Sequence, residues 1–349
     1  MNAAPASGQR VVDLFAGPGG WSEGLRMLGL CDTGIEIDPA ACATRTAAGH
    51  QTIRADVADY PTEPLHGKVN GLVGSAPCQP FSVAGHRGGA DDIDLCHQGL
   101  DDLARGRDTR AVLRAACTDP RSLLVVEPLR YALAVRPEWI ALEQVPAAAP
   151  LFVHTGSILH TIGYSVWSGV LNAADYGVPQ TRRRAFLLAS RSRCASPPEP
   201  THAKDPGPET LFGPALSPWV TMAEALGWGY IQRPAPTVTG GGTRTGGAEP
   251  FGNASRKAMR AAMENPGHWA WKRPAPTVSG TVGHVGGKQS GGHLNLQPDE
   301  GAVLQSFRCG YPFQGNKGQR SLQIGNAVPP LLAAAALQSL VAADLGVAA

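Results

Sequence analysis

Residues 10–30 read RVVDLFAGPGGWSEGLRMLGL. The stretch holds a short β-prone apolar run, a glycine-rich turn, and then Trp21, Leu25 and Leu28 at the i, i+4, i+7 spacing of one helix face. A strand that runs through glycines into a helix is the opening unit of a parallel α/β sheet. Working outward, the rhythm continues with TGIEI and PAACATRTAAG, and further strands are expected at 51–55, 69–75, 138–143 and 183–189. The reading is a doubly wound, mostly parallel sheet of Rossmann-like type.

The turn Ala16-Gly17-Pro18-Gly19-Gly20 aims free backbone N–H groups and the positive end of a helix dipole at whatever docks there. A dinucleotide fingerprint would need a third glycine at the sixth position, where Ser22 stands, so an NAD-dependent oxidoreductase is disfavoured. Glu36 closes the second strand 19 positions after Gly17, where an acid accepts both hydroxyls of a ribose. Asp56 follows the third strand and could accept from an adenine amino group. The strand GLVGSAP then delivers Pro77-Cys78-Gln79-Pro80, a cysteine on a stiff turn at the carboxyl end of a sheet strand, where a nucleophile belongs.

Composition sets outer limits. A chain of 349 residues suits two domains, and 43 Gly with 30 Pro demand many loops. Seven Cys without a Cys-x-x-Cys pair, and no His cluster of ligand spacing, argue against metal and for reduced cytoplasmic thiols. No apolar run reaches the roughly 18 residues of a membrane span, and the polar N-terminus is unlike a signal core, so neither export nor anchoring is expected. Residues 1–190 hold 16 Lys+Arg against 19 Asp+Glu and the remainder 14 against 9, which suits an acidic partner held by the C-terminal half. From 191 the chain turns to Pro, Gly, Ser, Thr and Trp, and RPAPTVTG at 233–240 recurs as RPAPTVSG at 273–280. Helical patterning resumes after 295, so the chain is expected to return to its first domain. The boundaries assigned are 1–190 with 321–349 for a catalytic, cofactor-binding domain, and 191–320 for a smaller loop- and strand-rich domain.

FAGPGG, PCQPFSVAG, LEQVP, QTRRR and QIGNAVPP, in this order, resemble the ordered motifs of the DNA (cytosine-5) methyltransferase family. The resemblance implies an S-adenosylmethionine-dependent fold, with S-adenosylhomocysteine released and a target recognition domain in the middle. Phe15, Ala16, Gly17, Gly19, Gly20, Glu36, Ile37, Asp56, Pro77, Asn326 and Ala327 are then the expected cofactor residues. Cys78 is the expected nucleophile at cytosine C6, which turns the electron-poor C5 into an enamine-like carbon. Glu143 would pair with N3 and the 4-amino group and must carry a proton when it donates. Strand alternation sends Arg182 and Arg184 to one face and Arg183 to the other, and the resemblance makes the first two site residues. Gln79, Ser82 and Gln180 are expected to touch the substrate.

A cytosine inside a duplex is unreachable, so the base must be flipped at a cost of a few kcal/mol. Residues 233–320 carry 11 Lys+Arg against 4 Asp+Glu among Gly-rich turns, which makes Arg233, Arg244 and Arg273 expected contacts to double-stranded DNA. Two departures from the family pattern stand out. Gln144 replaces the usual Asn after the catalytic Glu, which is expected to be tolerated, and the segment 86–110 looks like a long acidic loop over the flipped base. The rivals are an RNA cytosine-5 methyltransferase on the same scaffold and a catalytically idle DNA-binding relative; the latter would be expected to lose Cys78, Glu143 or the paired arginines. The expected enzyme is a monomer, with a cognate restriction endonuclease as a possible companion.

Overall fold

A computed structural model describes residues 10–81, 91–208, 215–227, 261, 263–265, 267–278, 284–285 and 294–341. Seven strands form the main sheet: β1 Val11–Leu14, β2 Asp32–Glu36, β3 Gln51–Arg54, β4 Gly71–Gly74, β5 Trp139–Gln144, β6 Ser165–Asn172 and β8 Arg183–Ser190, with the two-residue β7 Gln180–Thr181 outside it. Their order is β3-β2-β1-β4-β5-β8-β6. The pairs from β3 to β5 are parallel, and β8 runs antiparallel to both its neighbours. Val11 is level with Asp32 on one side and Gly71 on the other, so the chain reverses direction across the sheet between β1 and β4. That switch point opens a crevice at the strands' carboxyl ends, the place where open α/β sheets bind ligands.

Helices cover both faces. On one, α1 Gly20–Met27 lies against the last described helix, Pro330–Val341, and Trp21, Leu25, Leu332, Ala336 and Leu337 are buried with Trp139 and Phe186. The helix pair Lys317–Asn326 and Pro330–Val341 together has the length and composition of a membrane span, but it breaks at Ala327–Pro329, and the apolar side of Pro330–Val341 lies in this core. The close approach explains Gly20, where a Cβ would meet the Val328 carbonyl at 2.2 Å. On the other face, helices Ile93–Ala104, Glu127–Val135 and Ala149–Thr161 close over Leu14, Leu72, Ile140 and Leu187.

Residues 93–104 correct the expectation of a long acidic loop after Cys78. Cys96, Leu100 and Leu103 recur at i, i+4 and i+7, a helical stripe set among acidic neighbours, and the first two are fully buried. Asp102, one of those acids, accepts from Thr109 Oγ1 at 2.7 Å and pairs with Arg107, capping the turn that follows.

A third buried cluster gathers Met222, Ala275, Val278, Leu296, Leu304, Phe307, Tyr311, Phe313, Ile324 and Ala327, so the segments 222–226, 270–278 and 296–327 share one small core. Hydrogen bonds fasten it to the sheet domain beside the glycine turn and the helix that follows β2. Tyr311 donates its hydroxyl to the Pro18 carbonyl at 2.6 Å, and Thr44 on the helix Pro39–Ala48 accepts from the Gln314 N–H at 2.8 Å while donating to Gln323 Oε1 at 2.7 Å.

Candidate active site

The glycine turn leaves β1 with Phe15, Gly17 and Gly19 all at positive φ, and a left-handed Gly19 caps α1. Such a turn needs holding. Glu36, at the end of β2, accepts the Gly17 N–H at 2.7 Å on one carboxylate oxygen and the Ile37 and Asp38 N–H groups at 2.8 and 2.7 Å on the other. Tyr311 holds the Pro18 carbonyl from the opposite side. Beneath, Arg45 is completely buried and spans Ser22 Oγ at 2.7 Å, Asp32 at 2.7 Å and Asp13 at 3.5 Å. Ser22, the residue where a third glycine would stand, is therefore committed to this buried network.

A cavity of about 260 Å³ runs from this turn to the carboxyl ends of β4 and β5. Phe15, Ala16, Gly17, Gly20, Glu36, Ile37, Asn326 and Ala327 line one end, and Pro77, Cys78, Gln79, Glu143, Arg182 and Arg184 the other. Gly19 is not among the lining residues. Asp56 lies beyond β3 and outside the wall, where its carboxylate accepts the Ala58 N–H at 2.9 Å. Gln180 is fully buried behind the wall, and Arg273 is exposed, with its guanidinium 5.1 Å from the Trp269 ring centre. Ser82, Arg233 and Arg244, with Trp228 and Tyr230 before the first repeat, lie outside the described residues.

At the chemical end, half-buried Cys78 begins a tight turn in which the Phe81 N–H donates to its carbonyl at 3.1 Å. Burial raises the Cys78 thiol above its ordinary value, the Glu143 carboxylate adds to this, and Arg184 and Arg182 pull the other way. Arg184 stands 3.0 Å from Glu143, Nε to Oε1. Arg182 is 1% exposed, and its Nε and Nη1 have no hydrogen-bond partner. Burial first, then Arg184, push its guanidinium down to about 9, against the pull of Glu143 and Cys78. A buried cation with spare donors, beside a free thiol, is a site shaped for an electron-rich atom.

Several residues of the site gave no local signal. Gln144 stood out only as a departure, yet it donates to the Ala76 carbonyl at 3.0 Å and accepts the Val145 N–H at 2.8 Å, bracing the turn that carries Cys78. Trp21 donates its indole N–H to Ser75 Oγ at 3.0 Å, and both line the cavity with Leu322, Gln323 and Val328. Gln323 and Val328 belong to the quoted QIGNAVPP without having been singled out, and the Trp21–Ser75 contact joins residues 54 positions apart, which no local spacing marks.

Comparisons with known proteins identify the family. The model of the C-5 cytosine-specific DNA methylase family matches residues 9–95 and 111–342. Type II methyltransferase M1.HphI of Haemophilus parahaemolyticus is 28% identical over 94% of this chain and 86% of its own. Type II methyltransferase M.NaeI of Lentzea aerocolonigenes is 31% identical over 93% and 73%. Among solved structures, S. pombe Dnmt2 methyltransferase superposes with a TM-score of 0.60 at 14% identity over 97% of this chain and 99% of its own. Entamoeba histolytica methyltransferase EhMeth does so with 0.59 at 13% over 97% and 99%, a likeness of fold. On the strength of the family match along most of its length, the chain belongs to the C-5 cytosine-specific DNA methylase family.

Proposed function

We propose that this chain flips one cytosine out of a short duplex DNA site, adds Cys78 to its C6, and methylates C5 from S-adenosylmethionine bound at the glycine turn. The observation that carries this reading is the convergence of Cys78, Glu143, Arg182 and Arg184 on one end of a cavity whose other end is lined by the Gly17 turn and Glu36. The cofactor end fits such a donor: a helix N-terminus for its carboxylate, a carboxylate for ribose hydroxyls, and Ile37, 59% exposed, as an apolar face for adenine. S-adenosylmethionine supplies an electrophilic methyl on a sulfonium sulfur.

The chain's own groups do the rest. Cys78 must be a thiolate to add to C6. Arg182 and Arg184 favour that form and meet the charge that develops in the ring. Glu143, ion-paired with Arg184 in the free site, must exchange that partner for N3 and the 4-amino group, and donate a proton to N3 as the electron pair shifts. After transfer the C5 proton leaves and the C–S bond breaks to regenerate Cys78. None of these motifs offers an obvious side-chain base for that proton, which leaves a held water.

We assign residues 1–190 and 321–349 to the catalytic domain and 191–320 to target recognition by a monomer in the cytoplasm, with the excess of cations after 233 supporting contact with DNA phosphates. The names of the relatives fit pairing with a restriction endonuclease. The test is incubation with labelled S-adenosylmethionine and unmodified genomic DNA beside Cys78→Ala, then nucleoside analysis and bisulfite sequencing. Label in 5-methylcytosine at one sequence context, absent from the variant, is expected. Transfer to RNA alone, or none, would overturn the proposal.

A further inference from the structure

Two completely buried glutamines join three parts of the molecule that the chemistry needs to act together. Gln180, two residues before Arg182, and Gln305 are each 0% exposed. Gln180 accepts the Val278 N–H at 3.0 Å on Oε1, and its Nε2 donates to the Leu304 carbonyl at 3.2 Å and to Gln305 Oε1. Gln305 in turn donates from Nε2 to the Ala327 carbonyl at 2.7 Å. Val278 belongs to the second copy of the repeated RPAPTV segment, while Ala327 is part of the cavity wall at the cofactor end. The same copy docks by backbone too: Ala275 is level with Gln180 in a parallel bridge, and the Ala275 N–H donates to the Pro179 carbonyl at 2.9 Å.

The relay has a fixed direction. Val278 offers only a donor, whereas Leu304 and Ala327 offer only acceptors, so each carboxamide has one orientation that satisfies its neighbours. Turning either over would set oxygen against oxygen or N–H against N–H in a dry interior, where an unmade hydrogen bond is costly. An apolar pair would fill the same space without that directional constraint.

We infer that Gln180 and Gln305 are positioning residues. Seating of the 275–278 segment fixes, through them, both the Arg182 side of the cavity that Cys78 also lines and the Ala327 wall of the cofactor seat. The inference rests on the reading of this cavity as the cofactor and base site. It makes the second repeat copy a wedge that assembles the active centre.

The experiment uses the full chain with Gln180→Met, Gln305→Met and the double variant, and has one readout at each end of the relay. S-adenosylhomocysteine affinity by calorimetry reports the Ala327 end. Alkylation of Cys78 by iodoacetamide at fixed pH, followed by peptide mass spectrometry, reports the Arg182 end without any methyl transfer. Each single variant should weaken binding and slow alkylation by about threefold to tenfold, and the double variant should be no worse than the poorer single one. Losses that multiply in the double variant, or a change at one end only, would overturn the relay.

If the methionine variants do not fold, Gln305→Glu decides. Its neutral acid can still donate to the Ala327 carbonyl, so affinity relative to wild type at the same pH should be kept at pH 6 and fall towards pH 9.5 as the carboxyl ionises. A ratio that does not change with pH would count against the relay. Wild-type protein that binds no S-adenosylhomocysteine would remove the cofactor reading and the inference with it; failure of the relay alone leaves wild-type binding intact.

Discussion

Arg184 Nε lies 3.0 Å from Glu143 Oε1, so the free site stores the proposed catalytic carboxylate in an ion pair beside Cys78. The two side chains have opposite effects on Cys78: Glu143, after burial, raises the thiol, and Arg184 lowers it. Glu143→Gln keeps the shape, removes the raising charge and frees Arg184. Thiol reactivity and catalysis should then part company. Iodoacetamide labelling of Cys78 at neutral pH should speed up several-fold, because more thiolate is present. Methyl transfer should drop by roughly 100-fold or more with the loss of the group proposed to serve N3. Slower labelling would show that Glu143 does not govern the thiol.

Arg182 places function above stability. Its guanidinium is buried with two unpaired nitrogens and is pushed down to about 9, so the folded protein carries an ill-solvated cation that a bound base or phosphate would satisfy. Arg182→Met fills similar space without charge. Removing uncompensated buried charge in favour of apolar packing can stabilise by about 1 to 4 kcal/mol, so the variant should melt higher than wild type while losing methyl transfer by roughly 100-fold. A lower melting temperature would mean that Arg182 also holds the fold together.

The buried network under the glycine turn predicts a pH dependence. Burial raises the Asp13 carboxyl well above its ordinary value, with Asp32 and Glu36 adding to this and Arg45 opposing it. The folded protein therefore holds this proton to higher pH than the unfolded chain. The stability Asp13 contributes is complete below the ordinary carboxylate range and is lost as pH rises through its raised folded value. Asp13→Asn never ionises, so its melting temperature relative to wild type should climb between pH 5 and pH 8. A difference that stays constant, or shrinks, would show that pairing with Arg45 outweighs burial.

The legible part of the fold was the part written in local pattern. Residues 10–30 announce strand, turn and helix, and Glu36 lies where the Gly17 spacing put it, with its carboxylate on the Gly17 N–H. Alternation alone separated buried Arg182 from exposed Arg183. The helix at 93–104 was hidden because its apolar stripe is interleaved with acids, one of which is spent on capping rather than solvated. Strand β6 escaped because Ser165–Asn172 is a half-exposed edge strand with weak alternation. Gln305 and Tyr311 could not be read at all. Their roles depend on partners 125 and 293 positions away, and no spacing rule reaches across such separations.

Tyr311 makes that last point testable. Its hydroxyl donates to the Pro18 carbonyl at 2.6 Å and sits where a Cβ on Gly19 would be met at 2.9 Å, so the returning chain clamps the turn that the cofactor must fit. Burial, with Glu23 adding to it, raises the Tyr311 phenol, so the hydroxyl keeps its proton and stays a donor across the working pH range. Tyr311→Phe removes this one hydrogen bond and leaves the ring packed against Phe307 and Phe313. A net hydrogen bond of about 0.5 to 1.5 kcal/mol translates into roughly 2- to 12-fold weaker S-adenosylhomocysteine binding. KM for the methyl donor should rise by a similar factor while kcat at saturation holds, since Cys78, Glu143 and the arginines are untouched. A fall in kcat with binding unchanged would instead place Tyr311 in service of the chemical step, and the glycine turn would then have to be held by Glu36 alone.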